Sequence, residues 1–173
     1  ILAHSRYAGQ LNVPDMFTRM LFSLAVTGIA PATFYAQDLS GGRPKGRYEG
    51  FPVDFLAEAI TGITAALPKG FRSYNLASPH SDFVGMDEFV DWMIDAGCEI
   101  ERIADYDDWF HRFETALHSL PDDQRAHSLL QIVGPYSRPQ HPGMGAGVAC
   151  QRFAEAASAA GCPVPQLGAD LIR

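Results

Sequence analysis

The sequence lacks any uninterrupted run of about 18 apolar residues, the length that a membrane-spanning helix needs. It also begins without the charged and apolar regions of a secretory signal. We therefore expect a cytoplasmic protein that does not associate with membranes. Cysteine is scarce, with 3 in 173 residues at wide spacing. This odd number favours reduced thiols over a disulfide framework.

Positive charge is also in short supply, and the formal net charge is −7 at pH 7. Acidic residues are concentrated between positions 82 and 123, which disfavours nucleic acid as a partner. A solvated helical face is the simpler interpretation of those carboxylates. One short stretch, GGRPKGRYEG, is basic and carries Arg43, Lys45 and Arg47 among glycine and proline residues.

Helical periodicity is what the sequence does contain. The first helix is predicted to begin at an Asn12 N-cap, with Pro14 in its first turn, and to stop at Gly28. Further helices are predicted near positions 52–67, 86–97 and 107–120, from Pro121 to about Gly134, and over ACQRFAEAASAAG. The helix near 52–67 is expected to bury Leu56, Ala59, Ile60, Ile63 and Leu67.

Few strands are predicted. FRSYNL (71–76) and IERIADY (100–106) are the candidates, too few for a complete doubly wound sheet. We therefore expect an α/β fold that is rich in helices and has a few short strands. The whole chain, 1–173, is predicted to be a single partial domain. Within it, 135–173 should form a loop rich in proline and glycine followed by a short terminal helix.

No catalytic constellation can be identified from the residues alone. GMGAG lacks the G-x-G-x-x-G spacing, and no strand precedes it, so it is not a dinucleotide turn. His111, Glu114 and His118 could lie on one side of a helix, but no fourth ligand is signalled. The residues therefore predict neither a catalytic group nor a metal site.

Three long strings do resemble a known family: SRYAGQLNVPDMFTRMLFSLAVTGIAP, FPVDFLAEAI and DEFVDWMIDAGCEIERIADYDDWFHRFETAL. They are similar to the terminal thioester reductase domain of bacterial carboxylic acid reductases, which belongs to the extended short-chain dehydrogenase group. The resemblance implies that this chain is the C-terminal, substrate-binding part of such a Rossmann reductase. Members of the family use NADPH to reduce an acyl thioester, carried on phosphopantetheine, to an aldehyde.

The family's Gly-rich turn and Tyr-x-x-x-Lys pair do not occur in these 173 residues. The resemblance places both in an N-terminal Rossmann half, which would bind most of the NADPH. It also implies two partners, that missing half and the acyl carrier domain of the same polypeptide. We therefore expect the isolated chain to be inactive and to contain no catalytic residue.

The resemblance assigns the remaining sites. The end of a central strand would lie at the cofactor edge, with Ile1, Leu2, Ala3 and His4. The loop and helix that follow would form the wall along which the acyl-pantetheine arm lies. The residues concerned are Tyr7, Gly9, Gln10, Leu11, Asn12, Met16 and Phe17. Core packing is the simpler interpretation of Met16 and Phe17, as N-capping is of Asn12. Arg43, Lys45 and Arg47 would dock an acidic carrier domain.

Two alternatives remain open. The chain could be a non-catalytic domain that recognises an acyl carrier protein, using the same basic loop. It could also be a fragment of an enzyme similar to sugar-nucleotide epimerases, which share the architecture. The string DEFVDWMIDAGCEIERI argues against the epimerase alternative.

Overall fold

The computed structural model describes residues 2, 4–7, 12–37, 43–48, 50–67, 69–80, 84–142 and 148–171. Within these ranges the helices are α1 (Met16–Thr27), α2 (Val53–Ala66), α3 (Met86–Asp95), α4 (Tyr106–Ser119), α5 (Asp122–His127) and α6 (Gln151–Ala159). The strands are β1 (Ile29–Pro31) and β2 (Glu101–Ile103). Short 3-10 turns occur at Leu130–Ile132, Gly134–Tyr136 and Ala169–Leu171. The predicted helix-rich α/β class is confirmed.

Helix α1 begins later than the sequence pattern predicts. Its N-cap is Asp15, whose carboxylate accepts the Thr18 N–H at 3.0 Å. The predicted cap, Asn12, instead accepts the Asp15 N–H through its backbone oxygen in a turn. The predicted end is correct, because Gly28 has φ 68° and donates its N–H to the Leu24 carbonyl. That left-handed conformation is one that glycine adopts without a side-chain penalty.

Strands β1 and β2 form a parallel pair, with Ile29 opposite Glu101 and Pro31 opposite Ile103. Strand β2 lies within the predicted 100–106 segment, whereas β1 was not predicted. The other predicted strand, 71–76, is wrong for the described residues, since this segment is irregular. Phe71 there is 92% exposed. A strand needs a neighbour that pairs its backbone groups, and high β-propensity does not supply one.

The main core lies where α1, α3 and α4 pack around the two strands. Its fully buried side chains include Met20, Leu24, Phe34, Trp109 and Phe113. A second cluster joins α2 to α6 through Phe55, Ala59, Ile63 and Phe153, and a third unites Leu2, Phe17 and Phe89. The third cluster brings the amino-terminal residues against α1 and α3.

Two further helix predictions need correction. Ile60 was expected on the buried face of α2, but it is 56% exposed, and Phe55 occupies the core-facing side instead. The helix predicted to run from Pro121 to about Gly134 ends at His127 as α5. Ser128 is the C-cap of α5, and its hydroxyl donates to the Arg125 carbonyl at 2.8 Å.

Candidate functional site

The segment predicted to lie at the cofactor edge is held against the start of α2. Leu2 is buried and donates its N–H to the Phe51 carbonyl at 2.8 Å. It also forms an isolated parallel bridge with Pro52. The His4 ring lies 4.5 Å from the ring of Tyr7, which is 63% exposed. Ile1 and Ala3 lie outside the described residues.

Asp54, in the first turn of α2, is the anchor of this segment. Its Oδ1 accepts the Ser5 N–H at 3.0 Å, its Oδ2 accepts the Ser5 hydroxyl, and His4 Nδ1 lies 3.7 Å from Oδ2. Burial by itself raises the pKa of Asp54, but the Ser5 hydrogen bonds and His4 lower it to about 2. Asp54 is therefore ionised at physiological pH, and it fixes the backbone at residues 4–6.

A cavity of about 260 Å³ opens beside the amino-terminal end of α1. Two residues from the predicted substrate set, Met16 and Phe17, line it, and so does Arg47 from the basic stretch. Tyr7 and Asn12 are not among its lining residues, and Gly9, Gln10 and Leu11 lie outside the described part of the chain. The rest of the wall comes from residues that sequence analysis did not single out for this role, namely Asp15, Phe34, Tyr35, Tyr48, Met86, Tyr136, Gln140 and His141.

The cavity wall is largely aromatic and apolar, with one acidic side chain, Asp15, and one basic side chain, Arg47. Burial raises the pKa of Tyr35 to about 12, although a hydrogen bond from the Met86 N–H acts in the opposite direction. Burial, followed by the nearby Asp15 carboxylate, also raises the pKa of Tyr48 and Tyr136. The three phenols therefore stay protonated at physiological pH. Such a wall suits an apolar or aromatic group and offers hydroxyl groups for orientation.

The three basic residues predicted to dock a carrier occupy different surroundings. Lys45 is exposed. Arg47 is half-buried in the cavity wall, and its Nη2 donates to the Ser78 carbonyl at 2.6 Å. Arg43 is 41% exposed and bonds to carboxylates of α3. The docking role of these residues remains a prediction, and Lys45 is the member whose exposure suits it best.

The carboxylates that bind Arg43 belong to an ion-pair cluster, which we define as Arg43, Asp87, Asp91 and Arg102. Asp87 is completely buried, with Oδ2 3.3 Å from Arg43 Nε and Oδ1 3.9 Å from Arg102 Nη1. Asp91 is half-exposed, with Oδ2 2.6 Å from Arg43 Nη1 and Oδ1 2.5 Å from Arg102 Nη2. Two cations thus share two carboxylates on successive turns of α3.

Neither a membrane span nor a metal centre is found in the described ranges. No helix there is long and apolar enough to cross a bilayer. No three of the described His, Cys, Asp and Glu side chains gather closely enough to hold an ion. Gly143, Gly145 and Gly147 of the GMGAG stretch lie outside the described residues.

Comparison with known proteins supplies what the residues alone do not. The chain is 49% identical, over 99% of its length, to a carboxylic acid reductase of Mycobacterium marinum. It is 50% identical, over 82% of its length, to a carboxylic acid reductase of Mycobacterium tuberculosis. The predicted resemblance to carboxylic acid reductases is confirmed. The chain spans only 15% and 12% of these two carboxylic acid reductases, and no family model matches it.

Solved structures agree with these sequence relatives. The reductase (R) domain of a nonribosomal peptide synthetase from M. tuberculosis superimposes with a TM-score of 0.89 at 41% identity. That match covers 99% of this chain and 41% of the R domain. The terminal R domain of the myxalamid pathway shows the same fold, with a TM-score of 0.67 at 24% identity. The fold implied by the resemblance, part of an extended short-chain dehydrogenase reductase, is thereby confirmed.

Proposed function

We propose that this chain is the substrate-binding part of an NADPH-dependent reductase that converts an acyl thioester on a phosphopantetheine arm to an aldehyde. The observation that carries the proposal is about 50% identity to carboxylic acid reductases over most of the chain. In this proposal the parent is a multidomain bacterial, cytoplasmic enzyme. Within that enzyme, this chain would work together with a Rossmann half and an acyl carrier domain.

The cavity is the place in the described structure that suits the acyl group. Its apolar side chains would remove the acyl carbon atoms from water, a gain of about 25 cal/mol per Å² of apolar surface. Its neutral phenols place no charge against that group. Met16 stands at this wall with 49% of its surface exposed. It can therefore be replaced without disturbing the main core.

Filling the cavity should impair the reductase. In the complete enzyme, Met16→Trp is expected to lower kcat/KM for an acyl thioester about tenfold or more, which corresponds to about 1.4 kcal/mol. The indole would occupy space that the acyl group needs, while the thermal midpoint stays close to that of the wild type. Steady-state rates of NADPH oxidation with acyl-pantetheine substrates would measure the effect.

Ala25→Trp is the matched control for this substitution. Ala25 is an exposed residue of the same helix and does not line the cavity. The same bulky side chain there should leave kcat/KM within about twofold of the wild-type value, as for most surface substitutions away from a site. Equal kcat/KM values for the two variants would show that the acyl group binds elsewhere.

The cofactor is proposed to bind mainly outside this chain. The 173-residue chain alone is therefore expected to give no measurable heat of binding when NADPH is titrated in a calorimeter, and to oxidise none. A Rossmann dinucleotide site needs a Gly-rich turn on a helix amino terminus and a ribose contact. A strand end with His4 offers too few contacts to order a dinucleotide. Micromolar affinity would place the cofactor site within these 173 residues.

A further inference from the structure

We propose that Arg43 is a positioning residue for the acyl cavity, which it influences without being among the residues that line it. Its ion pairs with Asp87 and Asp91 hold the loop 43–48 against α3, so that Arg47 and Tyr48 stand in the cavity wall. Arg43 thereby sets which acyl groups the cavity accepts. This inference rests on the proposed function, because it takes the cavity to be the acyl site.

The first step is that Asp87 links two separate segments of the wall. On one side its carboxylate accepts the Thr33 hydroxyl at 2.6 Å and the Phe34 N–H at 2.9 Å. On the other side it accepts Arg43 Nε at 3.3 Å. Phe34 and the next residue, Tyr35, line the cavity. Arg47 and Tyr48, which follow Arg43 in the chain, line it as well. One buried carboxylate therefore fixes the position of one wall segment relative to the other.

The second step is that the loop fits tightly where it crosses the wall. A Cβ atom on Gly46 would lie 1.9 Å from Cζ of Tyr35, and one on Gly85 would lie 2.5 Å from the Tyr35 hydroxyl. Both distances are far shorter than any real contact of a Cβ atom. The Tyr35 hydroxyl in turn accepts the Met86 N–H at 2.9 Å. A shift of the loop towards Tyr35 would therefore displace the Tyr35 ring, which is itself part of the wall.

The third step is that Arg43 can be removed without leaving Asp87 uncompensated. Asp87 would keep Thr33, Phe34 and Arg102 as neighbours. The far end of the loop would also stay attached, because the Tyr48 N–H donates to the Val84 carbonyl at 2.7 Å. Loss of Arg43 should thus loosen one end of the loop while the fold remains. Its effect should appear in acyl selectivity and in local protection.

The experiment compares Arg43→Met, Arg43→Lys and the matched control Lys45→Met in the complete enzyme. Lys45 lies on the same loop, is exposed and makes no ion pair within the described residues. The substrates are two acyl-pantetheine thioesters, one with a short acyl group and one with a bulky aromatic group, and each is supplied both free and on the acyl carrier domain. The predicted docking role of Lys45 does not affect the free thioesters, which reach the cavity without the carrier domain. We expect Arg43→Met to change the ratio of their kcat/KM values at least fivefold, mainly through KM. Arg43→Lys should recover part of the change, since an ammonium can bind one carboxylate but lacks the fork that reaches both.

Hydrogen exchange provides a readout that does not depend on the reaction. Amides of residues 43–48 should exchange at least tenfold faster in Arg43→Met than in Lys45→Met, while α4 keeps its protection. Unchanged exchange would overturn the proposal. An unchanged selectivity ratio with faster exchange would overturn it too, as would slowing that is confined to carrier-bound substrate, since that result assigns Arg43 to docking. If wild-type enzyme reduces no acyl thioester, the proposed function itself is wrong, and the exchange data still decide whether Arg43 holds the loop.

Discussion

Replacing Asp87 with alanine is expected to cost about 3–5 kcal/mol of unfolding free energy, the usual loss when one partner of a buried ion pair is removed. A domain's whole stability is about 5–15 kcal/mol. Asp87 is completely buried, and without it the Phe34 N–H has no carboxylate to accept its hydrogen bond. Arg102, whose side chain is only 20% exposed, would also lose a counter-charge.

Asp87→Asn shows whether the charge or the hydrogen bonds of Asp87 contribute more to stability, and Asp95→Ala serves as a control. Asp87→Asn keeps an oxygen that can accept the Phe34 N–H but removes the charge, so its loss should lie between those of wild type and alanine. Asp95→Ala, at the exposed end of the same helix, should stay within about 0.5 kcal/mol of wild type. Urea unfolding of the 173-residue chain, followed by circular dichroism, measures all three. If Asp87→Ala lowers the free energy of unfolding by less than about 1 kcal/mol, the usual loss for a point substitution, the structural role of Asp87 is contradicted.

Removal of the neighbouring carboxylate, Asp91, is expected to lower the free energy of unfolding much less than removal of Asp87. Burial acts to raise the pKa of Asp91, but hydrogen bonds and charge from Arg43 and Arg102 outweigh it, and the pKa is lowered. The Asp91 side chain is 42% exposed, so water screens these attractions. The difference between Asp87 and Asp91 cannot be seen in the sequence, where both are simply acidic residues of one amphipathic helix.

Local patterns in the sequence predicted the helices well because each signal is carried by neighbouring residues. The stripe in DEFVDWMI corresponds to α3, where Phe89, Val90 and Met93 are buried. The start of α1 was misplaced because Asn12 and Asp15 are both good N-caps and lie three residues apart. Only the backbone conformation, with Asp15 extended at φ −70° and ψ 135°, decides between them.

The cavity could not be predicted in the same way, because its wall is assembled from segments far apart in the chain. The wall runs from Asp15 near the start to His141 near the end. No spacing rule connects Tyr35 with Tyr136, and each tyrosine alone is an ordinary half-apolar residue. Only the resemblance pointed to Met16 and Phe17, and it gave no information on the opposite wall. The ion-pair cluster escaped prediction for the same reason, since Arg43 and Asp87 are 44 residues apart.

Trp109→Ala is expected to be the other large loss, at about 3–5 kcal/mol, the range for deleting a buried aromatic side chain. Trp109 is completely buried in the main core, stacked on Phe113 with ring centroids 5.1 Å apart. Its ring also makes T-shaped contacts with Phe34 and Tyr106, with ring centroids 5.5 Å and 4.9 Å apart. Alanine would leave a cavity bordered by rigid aromatic rings, which cannot collapse to fill it.

Trp109→Phe should lower the free energy of unfolding by much less than the reduction in side-chain volume suggests. Within the described part of the chain, the Trp109 Nε1 is buried and has no hydrogen-bond partner. A buried donor left unpaired costs about 1–3 kcal/mol, and phenylalanine removes that donor while keeping most of the ring contacts. Urea unfolding of both variants measures the difference, with Phe110→Ala, a partly buried neighbour on the same helix, as the control. If Trp109→Phe loses as much stability as Trp109→Ala, the indole N–H has a partner in the folded protein, and the unpaired-donor argument fails.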